Sequence, residues 1–209
     1  MLVVAIDGPA GAGKSTIARA LAERLHVAHL DTGAQYRAVT LAALRAGLGG
    51  GEPAVADLAE RMTLDVGARV VLDGEDVTAA IRTPQVDVAV SAVAANSAVR
   101  SELRERQRTW AAEHGGGVIE GRDIGSVVFP DARLKLYLTA SPRVRAERRV
   151  AEAGGDVEAI AADIARRDGH DTGRSDGPLT RADGAVVLDT SELSIDEVLD
   201  EIEQLLGEK

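Results

Sequence analysis

Leu2 to Thr16 reads LVVAIDGPAGAGKST, and the reading of the whole chain starts from it. The apolar run Leu2 to Ile6 makes a short strand that Asp7 ends. Gly8 to Thr16 then satisfies the pattern G-x-x-x-x-G-K-[ST], with Gly8, Gly13, Lys14 and Ser15 at the fixed positions, and an amphipathic stretch follows at once. A strand, a glycine-rich turn and a helix in that order make a phosphate-binding loop. Glycines let the chain wrap so that successive backbone N–H groups converge on phosphate oxygens, and the helix aims its positive end at the same point. Gly8, Pro9, Ala10, Gly11, Ala12, Gly13, Lys14, Ser15 and Thr16 are therefore the expected nucleotide contacts. Lys14 would reach the β and γ phosphates, and the Ser15 hydroxyl would ligate Mg²⁺. Lysine occurs only at Lys14, Lys135 and Lys209. At this composition roughly 0.003 accidental matches to the pattern are expected in the chain.

Working outward, short β-branched runs alternate with longer amphipathic stretches. The strand candidates are Leu2 to Ile6, Val27 to Leu30, Val118 to Glu120, Leu134 to Leu138 and Ala185 to Leu188. Helical patterns cover Ser15 to Leu25, Ala34 to Ala46, Ala54 to Met62, Pro84 to Ala95, Ala98 to Glu113, Pro142 to Glu152, Val157 to Arg167 and Ile195 to Leu206. This alternation predicts an α/β fold, a five-stranded parallel sheet with helices on both faces, as one domain over residues 1–209. Two segments break the repeat. Thr63 to Arg82 holds the short pieces LDV, RVVL and EDV, separated by Gly67 and the Asp73-Gly74 turn signal, and reads as a small β insert. Gly154 to Pro178 opens on two glycines and closes in RRDGHDTGRSDGP, a composition that suits a mobile lid. Polar residues stand at every strand's carboxyl end: Asp7, Asp31, Arg122 with Asp123, Thr139, and Asp189. Each alone is ordinary turn chemistry, but together they mark the edge where open α/β sheets bind ligands.

Composition narrows the function. The 209 residues are 45% hydrophobic but only 2% aromatic, so the core must be aliphatic. No apolar run approaches the ~20 residues of a membrane span, and no basic stretch precedes the first run as in a signal peptide, so the chain reads as cytoplasmic with no membrane association. There is no cysteine, and the four histidines are scattered, which excludes disulfides and structural zinc. A net charge of −10 opposes broad binding to nucleic acid, so an anionic ligand must meet local clusters of arginine.

Kinases, GTPase switches and mechanical ATPases share the phosphate loop. Switches read guanine with N-K-x-D, yet Asn96 is the only asparagine and Ser97 follows it. Mechanical ATPases need an apolar strand ending in a metal-binding acid and partner surfaces, and the strands here are short. Phosphoryl transfer to a small acceptor remains, a reaction in which arginine-rich lids exclude water.

IDGPAGAGKST from Ile6, LDTGAQYRAV from Leu30, LDGEDVTAAIRTPQV from Leu72, GRDIGSVVFPDA from Gly121, LTASPRVRAERR from Leu138 and RDGHDTGRSDGPL from Arg167 together give the chain a close resemblance to the bacterial cytidylate kinases, of the nucleoside monophosphate kinase group. The resemblance covers nearly the whole length. It implies transfer of the γ-phosphoryl of ATP to CMP, and to dCMP, with Mg²⁺. It makes Thr63 to Arg82 a monophosphate-binding insert and Gly154 to Pro178 the lid. It implies small-molecule substrates only and a monomer.

The resemblance also assigns residues. Thr32, Arg37 and Arg122 would hold the acceptor's phosphate, roles that suit a hydroxyl donor and two guanidinium forks. Their structural alternatives are a helix N-cap at Asp31 or Thr32 and an Arg122–Asp123 ion pair. Tyr36 lies in the same motif and could merely pack. Asp123, Arg100 and Ser91 would contact cytosine, whose amino donor beside two acceptors asks for a carboxylate and a cationic donor; Arg100 could instead be solvated and Ser91 a helix-interior serine. In the lid, Arg167 and Asp171 would lie near the ribose and Arg174 near the transferring group. Lys14, Arg122, Arg167 and Arg174 would be catalytic. Many relatives carry arginine where this chain has His170. Arg148 and Arg149 resemble donor-contacting positions, or serve the surface. A kinase for another acceptor and a nucleotide sensor remain the alternatives.

Overall fold

A computed structural model describes residues 1–207 of the chain. In chain order its elements begin with β1 (Leu2–Asp7), α1 (Lys14–Leu25), β2 (His29–Asp31), α2 (Thr32–Arg45) and α3 (Ala54–Arg61). Three short strands follow, β3 (Leu64–Val66), β4 (Val70–Leu72) and β5 (Glu75–Asp76), then α4 (Pro84–Ala95) and α5 (Ser97–Glu113). The remainder is β6 (Gly116–Gly121), β7 (Leu134–Thr139), α6 (Pro142–Ala153), α7 (Val157–Thr172), β8 (Val186–Asp189) and α8 (Ile195–Gly207). Among the described residues no helix is long and apolar enough to cross a membrane.

Packing divides the chain into two compact units, Met1–His29 with the chain from His114 onward, and Leu30–Glu113. The large sheet has the order β2-β6-β1-β7-β8 and is parallel, as expected from the βαβ alternation. β1 lies at its centre, paired with β6 from Leu2↔Gly116 to Asp7↔Gly121 and with β7 from Val4↔Leu134 to Asp7↔Tyr137. A strand flanked on both edges and covered on both faces must be apolar throughout, and Val3 to Ile6 are all buried. The aliphatic core of this unit packs Val4, Ile6 and Leu136 against Ile17 and Leu21 of α1 and Ile202 of α8.

Most differences from the expected boundaries are small. β2 starts two residues later than its apolar run and ends at Asp31, which also caps the next helix, accepting from the Ala34 N–H at 3.0 Å. α7 continues past Arg167 to Thr172 through Gly169, since ion pairs made by Asp168 and Asp171 outweigh the low helix propensity of glycine. The Asp156 side chain caps α7 at the Ala159 N–H, and α7 packs along α6.

In the second unit, β3, β4 and β5 form an antiparallel sheet where the short pieces were expected, turning at Asp73-Gly74. α2 packs against α3, α4 and α5, burying Val39, Val55, Val86 and Leu103.

Candidate functional site

The phosphate loop leaves β1 in very tight quarters. Gly8 has φ 151°, and a Cβ there would lie 2.1 Å from the Leu138 carbonyl oxygen, so no side chain fits. Gly13 takes φ 84° as the residue before α1, which lets the chain turn directly into the helix. Lys14 is the first residue of α1 rather than part of an open loop, and it is buried. Its Nζ donates to the Pro9 carbonyl at 2.8 Å. Burial, then the Arg122 and Arg167 guanidiniums, push its pKa down to about 7, against the pull of Glu120 and Asp7. Beside it the Ser15 hydroxyl donates to Glu120 Oε2 at 2.8 Å, while His29 Nε2 lies 3.1 Å from Glu120 Oε1. Glu120 is a single acid in the buried strand β6, and sequence reasoning passed over it. The signal was there, a lone charge inside GGVIEG.

After β6 the chain makes a wide π-type turn over Ile124–Val128, a form frequent at functional sites. Asp7, at the end of β1, caps it. One carboxylate oxygen accepts from the Ile124 N–H at 2.8 Å, the other from the Gly125 N–H at 2.7 Å. Burial nevertheless raises the Asp7 pKa to about 6, opposed by those two hydrogen bonds and reinforced by Asp123. The consequence is measurable. The folded protein keeps a proton on Asp7 that the unfolded chain releases, so this group's contribution to stability is lost as pH rises from about 4 to about 6. At about 1.36 kcal/mol per tenfold change, ionisation costs about 3 kcal/mol. The stability of wild type relative to Asp7→Asn, from urea unfolding, is expected to fall by about that amount between pH 4 and pH 7. A difference independent of pH would show that the carboxyl titrates normally.

Arg122 pairs with Asp171. Its Nε donates to Asp171 Oδ2 of α7 at 2.8 Å, and Arg174 NH1 lies 3.3 Å from Asp171 Oδ1. Asp171 is buried, which opposes its ionisation, but Arg122, Arg174 and Arg167 together hold its pKa below the ordinary carboxylate value. Four of the expected site residues, Arg122, Arg167, Asp171 and Arg174, are thus electrostatically linked within one unit. Asp123 is buried there too, whereas His170 is exposed near the end of α7. Two groups that sequence reasoning missed touch the loop itself. Asp168 of α7 accepts from the Ala10 N–H at 3.0 Å and from Arg145 NH1 at 2.5 Å, and Arg145 NH1 also donates to the Ala10 carbonyl at 3.0 Å. Arg148 grips Thr190, whose hydroxyl donates to the Ala12 carbonyl at 3.3 Å, and Arg149 pairs with Glu152 on the surface.

The remaining expected residues lie in the second unit. Asp31 is the N-cap of α2 and Thr32 its buried first residue. Arg37 is buried, donating to the Ile81 carbonyl at 2.9 Å and to Asp87 Oδ1 at 2.5 Å. Arg100 is not solvated. It is 1% exposed, donates to the Ala94 carbonyl at 3.1 Å, and its guanidinium carbon stands 5.7 Å from the centre of the Tyr36 ring. Ser91 is half-buried on α4.

Known proteins match the sequence along the full chain. The family model for cytidylate kinase matches residues 4–208. A cytidylate kinase of Geobacter sulfurreducens is 50% identical over 220 residues, covering 100% of this chain and 94% of that protein. One of Rhodococcus opacus is 48% identical over 219 residues, covering 100% and 96%. Among solved structures, a shikimate kinase from Bacteroides thetaiotaomicron superposes with a TM-score of 0.54 over 99% of this chain and 98% of that one, at 15% identity, which speaks for the fold alone. From its phosphate loop to α8, the chain belongs to the cytidylate kinase family.

Proposed function

We propose that the chain transfers the γ-phosphoryl of ATP to CMP, and to dCMP, giving the diphosphate and ADP. One observation above all supports this reading: a buried lysine at a phosphate-loop helix start, its charge disfavoured by Arg122 and Arg167, within a unit that also holds Arg174 and Asp171. Such a set of cations is unstable until an anion fills it, and a nucleoside triphosphate supplies that anion. The acceptor's phosphate oxygen is already ionised at neutral pH, so no strong general base is needed. It forms a bond to the γ-phosphorus while the bond to the β,γ-bridging oxygen breaks. Lys14, Arg122, Arg167 and Arg174 neutralise the charge on the transferring group, and the loop residues Gly8, Pro9, Ala10, Gly11, Ala12, Gly13, Ser15 and Thr16 hold the donor's phosphates.

For Mg²⁺ the donor chemistry fits. The Ser15 hydroxyl and the Glu120 carboxylate are hard oxygen donors 2.8 Å apart. Among the described residues no group of three or more histidines, aspartates or glutamates forms a metal cage, which suits an ion held largely by substrate phosphates and water. When bound, it would neutralise phosphate charge.

On the acceptor side, the resemblance assigns Thr32, Tyr36, Arg37 and Arg122 to the phosphate and Ser91, Arg100 and Asp123 to the base. The near-complete burial of Arg100 beside Tyr36, held at the Ala94 carbonyl, supports this, because a rigidly placed guanidinium can donate to acceptor atoms of a base. Arg167 and Asp171 meet the ribose. Residues 154–178 act as the lid and 63–82 as part of the monophosphate-binding segment, within a monomer that works in the cytoplasm on small molecules. Coupled ADP release with CMP, dCMP, UMP, AMP and a non-nucleotide alcohol tests the reading. Turnover is expected to be greatest with CMP. ADP release indifferent to every acceptor would identify a sensor or an ATPase instead.

A further inference from the structure

Asp168 has no part in the substrate contacts assigned so far, yet it touches the phosphate loop backbone across 158 residues of sequence. The peptide unit it meets is a particular one. The Ala10 N–H that donates to Asp168 and the Pro9 carbonyl that accepts from Lys14 Nζ belong to the same peptide plane. No peptide in the described chain is cis, so that N–H and that carbonyl point in opposite directions. Lys14 therefore holds one edge of the plane and Asp168 the other. The next plane is held as well, since Arg145 NH1 donates to the Ala10 carbonyl while pairing with Asp168. The pair is sheltered, with the Arg145 and Asp168 side chains 11% and 17% exposed, so it is screened less than a surface ion pair. Arg145 Nε is buried and without a hydrogen-bond partner, so the guanidinium is oriented by Asp168 and the Ala10 carbonyl rather than by saturation of its donors.

We propose that Asp168 is a positioning residue for phosphoryl transfer: it fastens α7 to the Pro9–Ala10 peptide and, through that plane, sets where Lys14 stands. The proposal rests on the kinase reading of this site. It also gives a geometric meaning to the order of residues on α7, because Arg167 precedes Asp168 and Asp171 follows one turn later. One carboxylate anchors the helix at the loop and thereby places the neighbouring lid groups relative to it. Release of Asp168 frees both the loop peptide and the helix.

The test combines amide exchange without nucleotide with steady-state kinetics, in Asp168→Ala and Asp168→Asn. In the alanine variant the Ala10 amide is expected to exchange at least about tenfold faster than in wild type. The KM for ATP is expected to rise about five- to twentyfold with kcat reduced, while the KM for CMP stays within about twofold. Asparagine retains an acceptor for the Ala10 N–H but not the ion pair, so it should recover part of both effects. If the alanine variant does not fold, asparagine alone carries the test, with exchange and the KM for ATP both above wild type. Ala10 exchange equal to wild type in every folded variant, or parallel rises in the KM for both substrates, would overturn the proposal. A wild type that phosphorylates no acceptor removes the kinase reading instead, and exchange at Ala10 still decides whether the clamp exists.

Discussion

Replacing Lys14 by methionine is expected to lower the turnover of CMP by about a thousandfold while leaving the melting temperature unchanged or raised. Removing one preorganised donor aimed at developing charge costs about two to three orders of magnitude in turnover. Stability moves the other way for a reason specific to this site. Lys14 is buried and disfavoured by Arg122 and Arg167, so the uncharged isostere relieves repulsion and keeps the aliphatic stem in place. Alanine is the poorer probe, because Lys14 is packed at the start of α1 and truncation would open a cavity. Kinetics and a thermal melt on one sample check both halves. Near-normal turnover would remove the phosphate-loop assignment, and a marked loss of stability would show that the bond from Lys14 to the Pro9 carbonyl outweighs the relieved repulsion.

Asp123→Asn is expected to reduce CMP turnover and shrink the preference for CMP over UMP by roughly ten- to a few hundredfold in kcat/KM. A carboxylate accepts from the N4 amino group of cytosine and repels the O4 of uracil. An amide can accept from the first and donate to the second. Asp123 is buried, so the mismatch with uracil leaves polar groups unpaired where water cannot rescue them. Kinetics with both acceptors over a range of concentrations give the ratio. Equal losses on CMP and UMP would make Asp123 a structural residue.

What the sequence made legible were local patterns. The loop, its helix and all five large-sheet strands announce themselves through apolar runs and glycine spacing within a dozen residues, and Pro84–Ala95 is helical over its expected span. The contacts that shape the site are not local. Asp7 caps a turn 117 residues away, Ser15 bonds to Glu120 across 105, and Asp168 reaches Ala10 across 158. No periodicity encodes such pairs, because they exist only after parallel strands bring distant segments to one sheet edge. Arg100 illustrates the other limit. On α5 it is one charge in SAVRSELRERQR, and helical spacing alone gives no reason to bury it rather than Arg104 or Arg106. Only the resemblance singled it out.

The order of strands in the large sheet has a consequence for synthesis. β1 is made first, but both of its partners, β6 and β7, begin at Gly116 and Leu134. At about 5–20 residues per second, the apolar strand Leu2–Ile6 leaves the ribosome and waits roughly ten seconds before either edge can be paired. Throughout that interval it is an unpaired strand of high β propensity and no charge, and the segment Leu30–Glu113 is completed only just before β6 begins. The nascent chain is therefore expected to expose this aggregation-prone segment, which leads into the phosphate loop, until β6 emerges, and that makes it a place where a holdase chaperone would act.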